Sequence, residues 1–253
     1  MKKNLLALAF LVGLLTCCKS EDAPIKPVKP TDPGSINKEY MSRAETTFAN
    51  IFKYYWSDKV RMMFGSYPNT LGTPQEPSSP DYDSHAYLWG LGSVVSAFNA
   101  IVQNTDNVDF RMTYESRLKE TLLKYYNTTK EPMCFGCFVN PHDQRLYDDA
   151  IWVGIDLADL YSKTKDSWYL DYAKSVWNFV LSGKDDELGG GVYWDENAKD
   201  SKNTCSNAPA VVLALKLYQI TNDAAYLENG KDIYKWTKSK LQEREVLFTL
   251  IFM

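Results

Sequence analysis

Apolar residues recur along this chain at spacings of three and four, the period of a helix face, and no run of any length alternates as a strand would. The pattern predicts helices over 36–56, 84–104, 109–127, 146–163, 167–182, 204–221 and 223–241. They fall into two kinds. Segments 146–163 (Ala150, Ile151, Trp152, Val153, Ile155, Leu157) and 204–221 (Val211, Val212, Leu213, Leu215, Leu217) are apolar nearly all round, the signature of helices buried on most sides. Segments 167–182 and 223–241 are one-faced, with Leu170, Ala173, Val176, Trp177 and Val180 opposed by Asp171, Lys174 and Asn178 in the first of them. Those belong at the surface.

The alternation is also a repeat. Thr164-Lys165-Asp166-Ser167-Trp168-Tyr169-Leu170 is echoed by Thr221-Asn222-Asp223-Ala224-Ala225-Tyr226-Leu227 at an offset of 57 residues, which also relates Lys174 to Lys231 and Trp177 to Tyr234. A self-similar unit of one buried and one surface helix predicts a hairpin array that stacks or closes into a ring. The same offset relates Gly90, Tyr147 and Thr204, so three polar clusters fall at the starts of inner helices: His85-Ala86-Tyr87-Leu88-Trp89, Tyr147-Asp148-Asp149 and Asn203-Thr204-Cys205-Ser206-Asn207. Inner helices of a ring run parallel, so all three clusters are expected at one mouth.

Both ends differ from this body. Lys2 and Lys3 precede an apolar run from Leu5 to Leu15, too short to span a bilayer, and Cys17-Cys18 follow it directly. This reads as a lipoprotein signal, 1–17, with Cys18 (or Cys17) as the lipidated residue and 18–34, rich in proline, as a tether. An ordinary cleaved signal is the alternative. The acidic and basic residues of Lys19-Ser20-Glu21-Asp22 behind the anchor suggest display on the outer membrane at the cell surface, with a periplasm-facing protein as the alternative. The repeat places a polar loop near 246, yet 246–253 reads Val-Leu-Phe-Thr-Leu-Ile-Phe-Met. A short strand or buried tail is one reading of it; a broken reading frame or misplaced stop is favoured. The main domain is then 35–245.

Charge narrows the partners. The formal net charge is −4 and becomes −6 when Lys2 and Lys3 leave with the signal, so a nucleic-acid partner is not expected. Aromatic residues make up 14% of the chain, seven of them tryptophan, which suits stacking on sugar faces and equally suits an aromatic core. Cys134-Phe135-Gly136-Cys137 without a second pair is weak as a zinc site. A disulfide there and a loop packed with free thiols are both open.

Asp148-Asp149 is the strongest candidate for chemistry. Aspartates at a helix start also serve as caps and dipole partners, but this pair lies at the mouth where the polar clusters converge. Two like charges held close cannot both ionise freely, so one carboxyl stays protonated while the other is ionised. Glycoside hydrolysis needs that division, with carboxyls about 5–5.5 Å apart in retaining enzymes and farther apart in inverting ones.

Three motifs, Tyr147-Asp148-Asp149-Ala150-Ile151-Trp152, Gly189-Gly190-Gly191-Val192-Tyr193-Trp194-Asp195 and Lys202-Asn203-Thr204-Cys205-Ser206-Asn207-Ala208-Pro209, resemble glycoside hydrolase family 76 in content and order, within a similarity running from about Ser35 to Leu241. The resemblance implies an all-α, (α/α)6-toroid fold, incomplete here at about seven of twelve helices, and an endo-acting α-1,6-mannanase. It implies Asp148 as nucleophile and Asp149 as general acid/base, with Trp89, Trp194, Asn203 and Asn207 binding substrate; His85 and Asp195 join them as substrate-binding candidates. It also implies no cofactor, no metal, and α-mannan or mannooligosaccharides as the partner of a monomer. From the residues alone, Trp152 and Trp89 each read as core before stacking platform, Asn203 as a possible cap, Asp195 as a loop holder or sugar ligand, and His85 as a buried or substrate-binding histidine. A non-catalytic glycan-binding lipoprotein or inactive remnant, and another toroid enzyme such as an unsaturated glucuronyl hydrolase, are the alternative functions.

Overall fold

A computed structural model describes residues 33–68, 85–139, 144–242 and, as backbone, 251–252. The leader with Cys17 and Cys18, the tether up to residue 32 and most of the tail lie outside the described residues. Among those described, seven α-helices follow in order: α1 (Pro33–Tyr55), α2 (Leu88–Asn104), α3 (Val108–Tyr125), α4 (Tyr147–Thr164), α5 (Ser167–Ser182), α6 (Thr204–Thr221) and α7 (Ala224–Leu241). Three two-residue antiparallel pairs accompany them: β1 (Trp56–Ser57) with β2 (Met62–Met63), β3 (Tyr126–Asn127) with β4 (Cys134–Phe135), and β5 (Ser201–Lys202) with β6 (Ile251–Phe252). Pairs this short give no alternation to read, which is why the periodicity missed them. They also trim the expected helices: Trp56 leaves α1 to face Met63, and Tyr126 leaves α3 to face Phe135. The start of α2 moves from 84 to Leu88 because His85 bridges Phe64 and the Ala86 amide donates to the Met63 carbonyl at 3.0 Å.

Tyr40–Met253 forms one compact unit with the expected layering. Helix α2 packs on α4 and α4 on α6, while α5 packs on α4 and α7 on α6. The inner helices run parallel, because equal positions in the repeat touch side by side. Asn99 Nδ2 donates to Asp156 Oδ1 at 2.8 Å and Lys216 Nζ meets Asp159 Oδ1 at 2.5 Å, each pair 57 residues apart. Ala150, Val153, Leu157, Leu213, Ala214 and Leu217 are fully buried between them.

The hairpin corners show why the repeat is visible in the sequence. Inner helices α4 and α6 each end on a left-handed residue, Lys165 (φ 62°) and Asn222 (φ 57°), whose amides reach back to Tyr161 and Tyr218 carbonyls at 2.8 Å. Thr164 and Thr221 bond the carbonyls four residues back, both at 2.7 Å. Asp166 and Asp223 then cap α5 and α7, accepting the Trp168 and Ala225 amides at 3.0 and 2.9 Å. Each such cap contributes about 1 kcal/mol.

Tail residues Ile251–Phe252 pair with Ser201–Lys202, so the strand reading of the tail describes these two residues. Cys134 and Cys137 are free thiols, both buried, which resolves the open alternatives in favour of packing without a disulfide.

Candidate active site at the mouth of the inner helices

Helix α4 begins at Tyr147, which puts Asp148 and Asp149 in its first turn. Two ion pairs with fully buried cations fix the backbone around them. Arg145, fully buried, grips Glu196 with Nε to Oε2 at 2.7 Å and Nη2 to Oε1 at 2.5 Å, and its Nη1 donates to the Pro132 carbonyl at 2.7 Å. Lys202, also fully buried, reaches Asp185 Oδ1 at 2.6 Å and the carbonyls of Glu187 and Gly190 at 2.8 and 2.9 Å. Burial alone would raise the Glu196 carboxyl, but hydrogen bonds from Arg145 and Lys130 hold it below the usual range. The glycine loop is shaped against α7: Gly191 has φ +79°, and a Cβ there would lie 2.4 Å from a ring carbon of Trp236. Only glycine meets both conditions.

These clamps bring Trp194 onto the carboxyl pair. The Tyr147 amide donates to the Trp194 carbonyl at 3.0 Å, and Trp194 Nε1 donates to Asp148 Oδ2 at 3.2 Å. The Cys205 thiol lies near Asp148 and the Cys137 thiol near Asp149, and Asp148 Oδ1 is buried without a hydrogen-bond partner among the described residues. Both carboxyls are at least nine-tenths buried. A helix N-terminus favours negative charge, yet burial wins here. Burial raises Asp148 against the nearby Cys205 thiol, the Trp194 indole and nearby backbone amides. Asp149 is pushed up to about 6 by burial first and the Asp148 charge second, with only the Cys137 thiol opposing. The two carboxyls are therefore inequivalent, and Asp149 is the one that holds its proton into the near-neutral range.

Asp149 opens on a cavity of about 320 Å³ lined also by Trp89, Gly92, Ser93, Ser96 and Trp152. Trp89 is 56% and Trp152 41% exposed. Trp152 is thus a correction: its helix is apolar all round, so nothing in the pattern showed that this position turns away from the core.

The other expected site residues divide. Asn207 is fully buried with its amide engaged by protein. Its Oδ1 accepts the Val192 amide at 2.7 Å, and its Nδ2 donates to the Val192 and Asn203 carbonyls, both at 2.8 Å. It clamps the glycine loop to α6. Asp195, 8% exposed, is seen as a loop holder, accepting the Asn197 amide at 2.8 Å and Gln144 Nε2 at 3.2 Å. His85 is buried, its ring stacked on Phe64 with centroids 6.1 Å apart. Asn203 takes the N-cap position of α6 without a side-chain cap bond, and its buried Oδ1 has no protein partner among the described residues. Sequence reasoning missed Cys137 and Cys205 as neighbours of the pair. The 57-residue offset signalled Cys205, since it maps that residue onto Asp148; nothing comparable marked Cys137. Among the described residues no group of three or more His, Cys, Asp or Glu could hold a metal ion.

The family model described as glycosyl hydrolase family 76 matches residues 39–249. The chain belongs to that family. A family 76 mannosidase from Bacteroides thetaiotaomicron VPI-5482 superimposes with a TM-score of 0.74 at 26% identity, covering 84% of this chain and 57% of that one. A family 76 glycoside hydrolase from a bovine Bacteroides thetaiotaomicron strain gives 0.71 at 29%, covering 83% and 44%. The α-1,6-mannanase of Salegentibacter sp. HEL1_6 gives 0.65 at 23%, covering 86% and 56%. This family 76 chain thus spans about half the length of the structures it matches, and its helices are part of the family's helical toroid. No curated protein sequence matches it significantly.

Proposed function

We propose that this family 76 chain hydrolyses α-1,6-mannosidic linkages in α-mannan by a retaining mechanism. The observation that carries the reading is the adjacent pair of buried, inequivalent carboxyls, of which Asp149 opens on a cavity walled by two exposed tryptophans. Asp148, held by Trp194, is the nucleophile: its carboxylate attacks the anomeric carbon while Asp149 gives its proton to the departing glycosidic oxygen. The mannosyl ester on Asp148 is then hydrolysed by a water from which Asp149 takes back a proton. Trp89 and Trp152 offer ring faces to sugar C–H groups. The Salegentibacter α-1,6-mannanase supports the substrate, since a variant of it with two consecutive aspartates replaced is described as inactive and in complex with an α-1,6-mannotetraose.

The protein works without a cofactor, as a monomer tethered through Cys18 to the outer membrane and facing outward. Proton NMR of the first product formed from α-1,6-mannooligosaccharides tests the mechanism. The α-anomer is expected to appear first; initial release of the β-anomer would overturn the assignment of Asp148 as nucleophile.

A further inference from the structure

One buried carboxyl beside the cavity takes no part in the two-carboxylate chemistry. Asp156 lies about two turns, or roughly 10 Å, beyond Asp149 on α4 and is 6% exposed. Packing does not call for a polar group there: one repeat later the same position is Leu213, fully buried in the same layer. Both Asp156 oxygens are engaged by α2. Asn99 Nδ2 donates to Oδ1 at 2.8 Å, and the Ser96 hydroxyl donates to Oδ2. Asn99 is itself buried, whereas Ser96 is half-buried and lines the cavity with Asp149, Trp89 and Trp152. The other serine of the cavity, Ser93, is held far less firmly, its hydroxyl reaching only the Trp89 carbonyl of its own helix at 3.4 Å.

A hydroxyl has one proton to give and two lone pairs to offer. With the Ser96 proton committed to Asp156, Ser96 has only lone pairs left for the cavity, and donation to a carboxylate makes its oxygen a stronger acceptor. We propose that Ser96 is a substrate-binding residue that accepts a hydrogen bond from one hydroxyl of a mannose unit seated against Trp89 and Trp152, and that Asp156 is the positioning residue that fixes its polarity. The two indole rings meet sugar C–H faces without regard to the pattern of hydroxyls. A polar group of fixed direction adds what the rings lack, because a sugar without the matching hydroxyl leaves the Ser96 oxygen facing the cavity unpaired. The cost of burying Asp156 where the next unit carries Leu213 is thereby tied to recognition.

The inference rests on the mannan reading for the identity of the ligand and not on turnover. Binding is read from tryptophan fluorescence in the full chain carrying Asp149→Asn, so that the probe is not consumed. The probes are α-1,6-mannotriose and analogues in which the 2-, 3- or 4-hydroxyl of every unit is replaced by hydrogen or by fluorine. At one of these positions, loss of the hydroxyl is expected to weaken binding about 3- to 10-fold. Fluorine there should bind no better than hydrogen, because it cannot donate to Ser96. Adding Ser96→Ala, with folding shown by circular dichroism, should make mannotriose and that deoxy analogue bind equally. Asp156→Leu, which copies the next unit, should shrink the same difference by freeing the serine to rotate. A difference unchanged in Ser96→Ala or in folded Asp156→Leu, a fluorine analogue as tight as the parent at every position, or no analogue weaker than the parent would overturn the inference while mannan binding stands. Absence of binding by any probe would overturn both. The expected differences together with no release from mannan by the wild type would sink hydrolysis alone.

Discussion

The two ends of the α4–α6 layer are built from the same 57-residue repeat and have opposite characters. At the C-terminal end, Thr164 and Thr221 make the same back-bonds, and Asp166 and Asp223 make the same caps. At the N-terminal end the backbone register persists but the side chains diverge: Tyr147-Asp148-Asp149 in one unit stands where Thr204-Cys205-Ser206 stands in the other. Corner positions are fixed by local backbone geometry, which every unit must satisfy. Mouth positions are not, so each unit can carry a different group. What accumulates there is costly for folding: two carboxyls that burial drives toward their protonated forms. A fold keeps such groups where they do chemistry.

The largest expected effect on stability lies in the scaffold behind the mouth. Arg145→Met leaves Glu196 without its bidentate partner and frees the Pro132 carbonyl. Loss of a buried partner costs about 3–5 kcal/mol, toward the lower end here because Lys130 still holds Glu196 at 3.1 Å. Urea unfolding measures it, and a loss no greater than that at a corner cap would break the contrast between the two ends.

Next comes the pH dependence of the mouth. Asp149 binds its proton more tightly folded, at about 6, than an aspartate does in the unfolded chain. Its contribution to stability is therefore fullest below the unfolded value and is lost as pH rises through about 6. Asp149→Asn should remove that dependence and stabilise the protein near pH 7 by on the order of 2 kcal/mol. Denaturant midpoints of wild type and variant across this range check it; parallel curves would contradict it.

The smallest effects should come from the corners. Asp223→Ala is expected to cost about 1 kcal/mol as a lost cap. Asp166→Ala should cost a few tenths of a kcal/mol more, since Asp166 also pairs with Lys119 at 2.5 Å in a half-exposed contact. Melting of the two variants side by side sharpens how alike the corners are.

The same contrast explains what was legible in the sequence. Helices α4, α6 and α7 fall within a residue of their expected bounds because apolar period, left-handed end and Asp cap all mark the same corners. The Asp148-Asp149 pair was legible because position along the repeat assigns it to the mouth. Side-chain direction was not. Trp152 turns outward from an apolar helix, while Asn207 turns inward from a polar motif to hold Val192. Both depend on packing between units distant in sequence, which no local pattern encodes. His85 likewise joins Phe64 through a bridge that has no periodicity to read.

The central claim, that the inequivalent carboxyls at the mouth hydrolyse mannan, is tested most directly by incubating the chain with linear α-1,6-mannan beside Asp148→Asn and Asp149→Asn. All three proteins are first shown to be folded by circular dichroism. The account expects mannooligosaccharides from the wild type, with release slowed by roughly a thousandfold or more in either variant. Equal release by a variant, or none from the folded wild type, would contradict it and favour a mannan-binding protein.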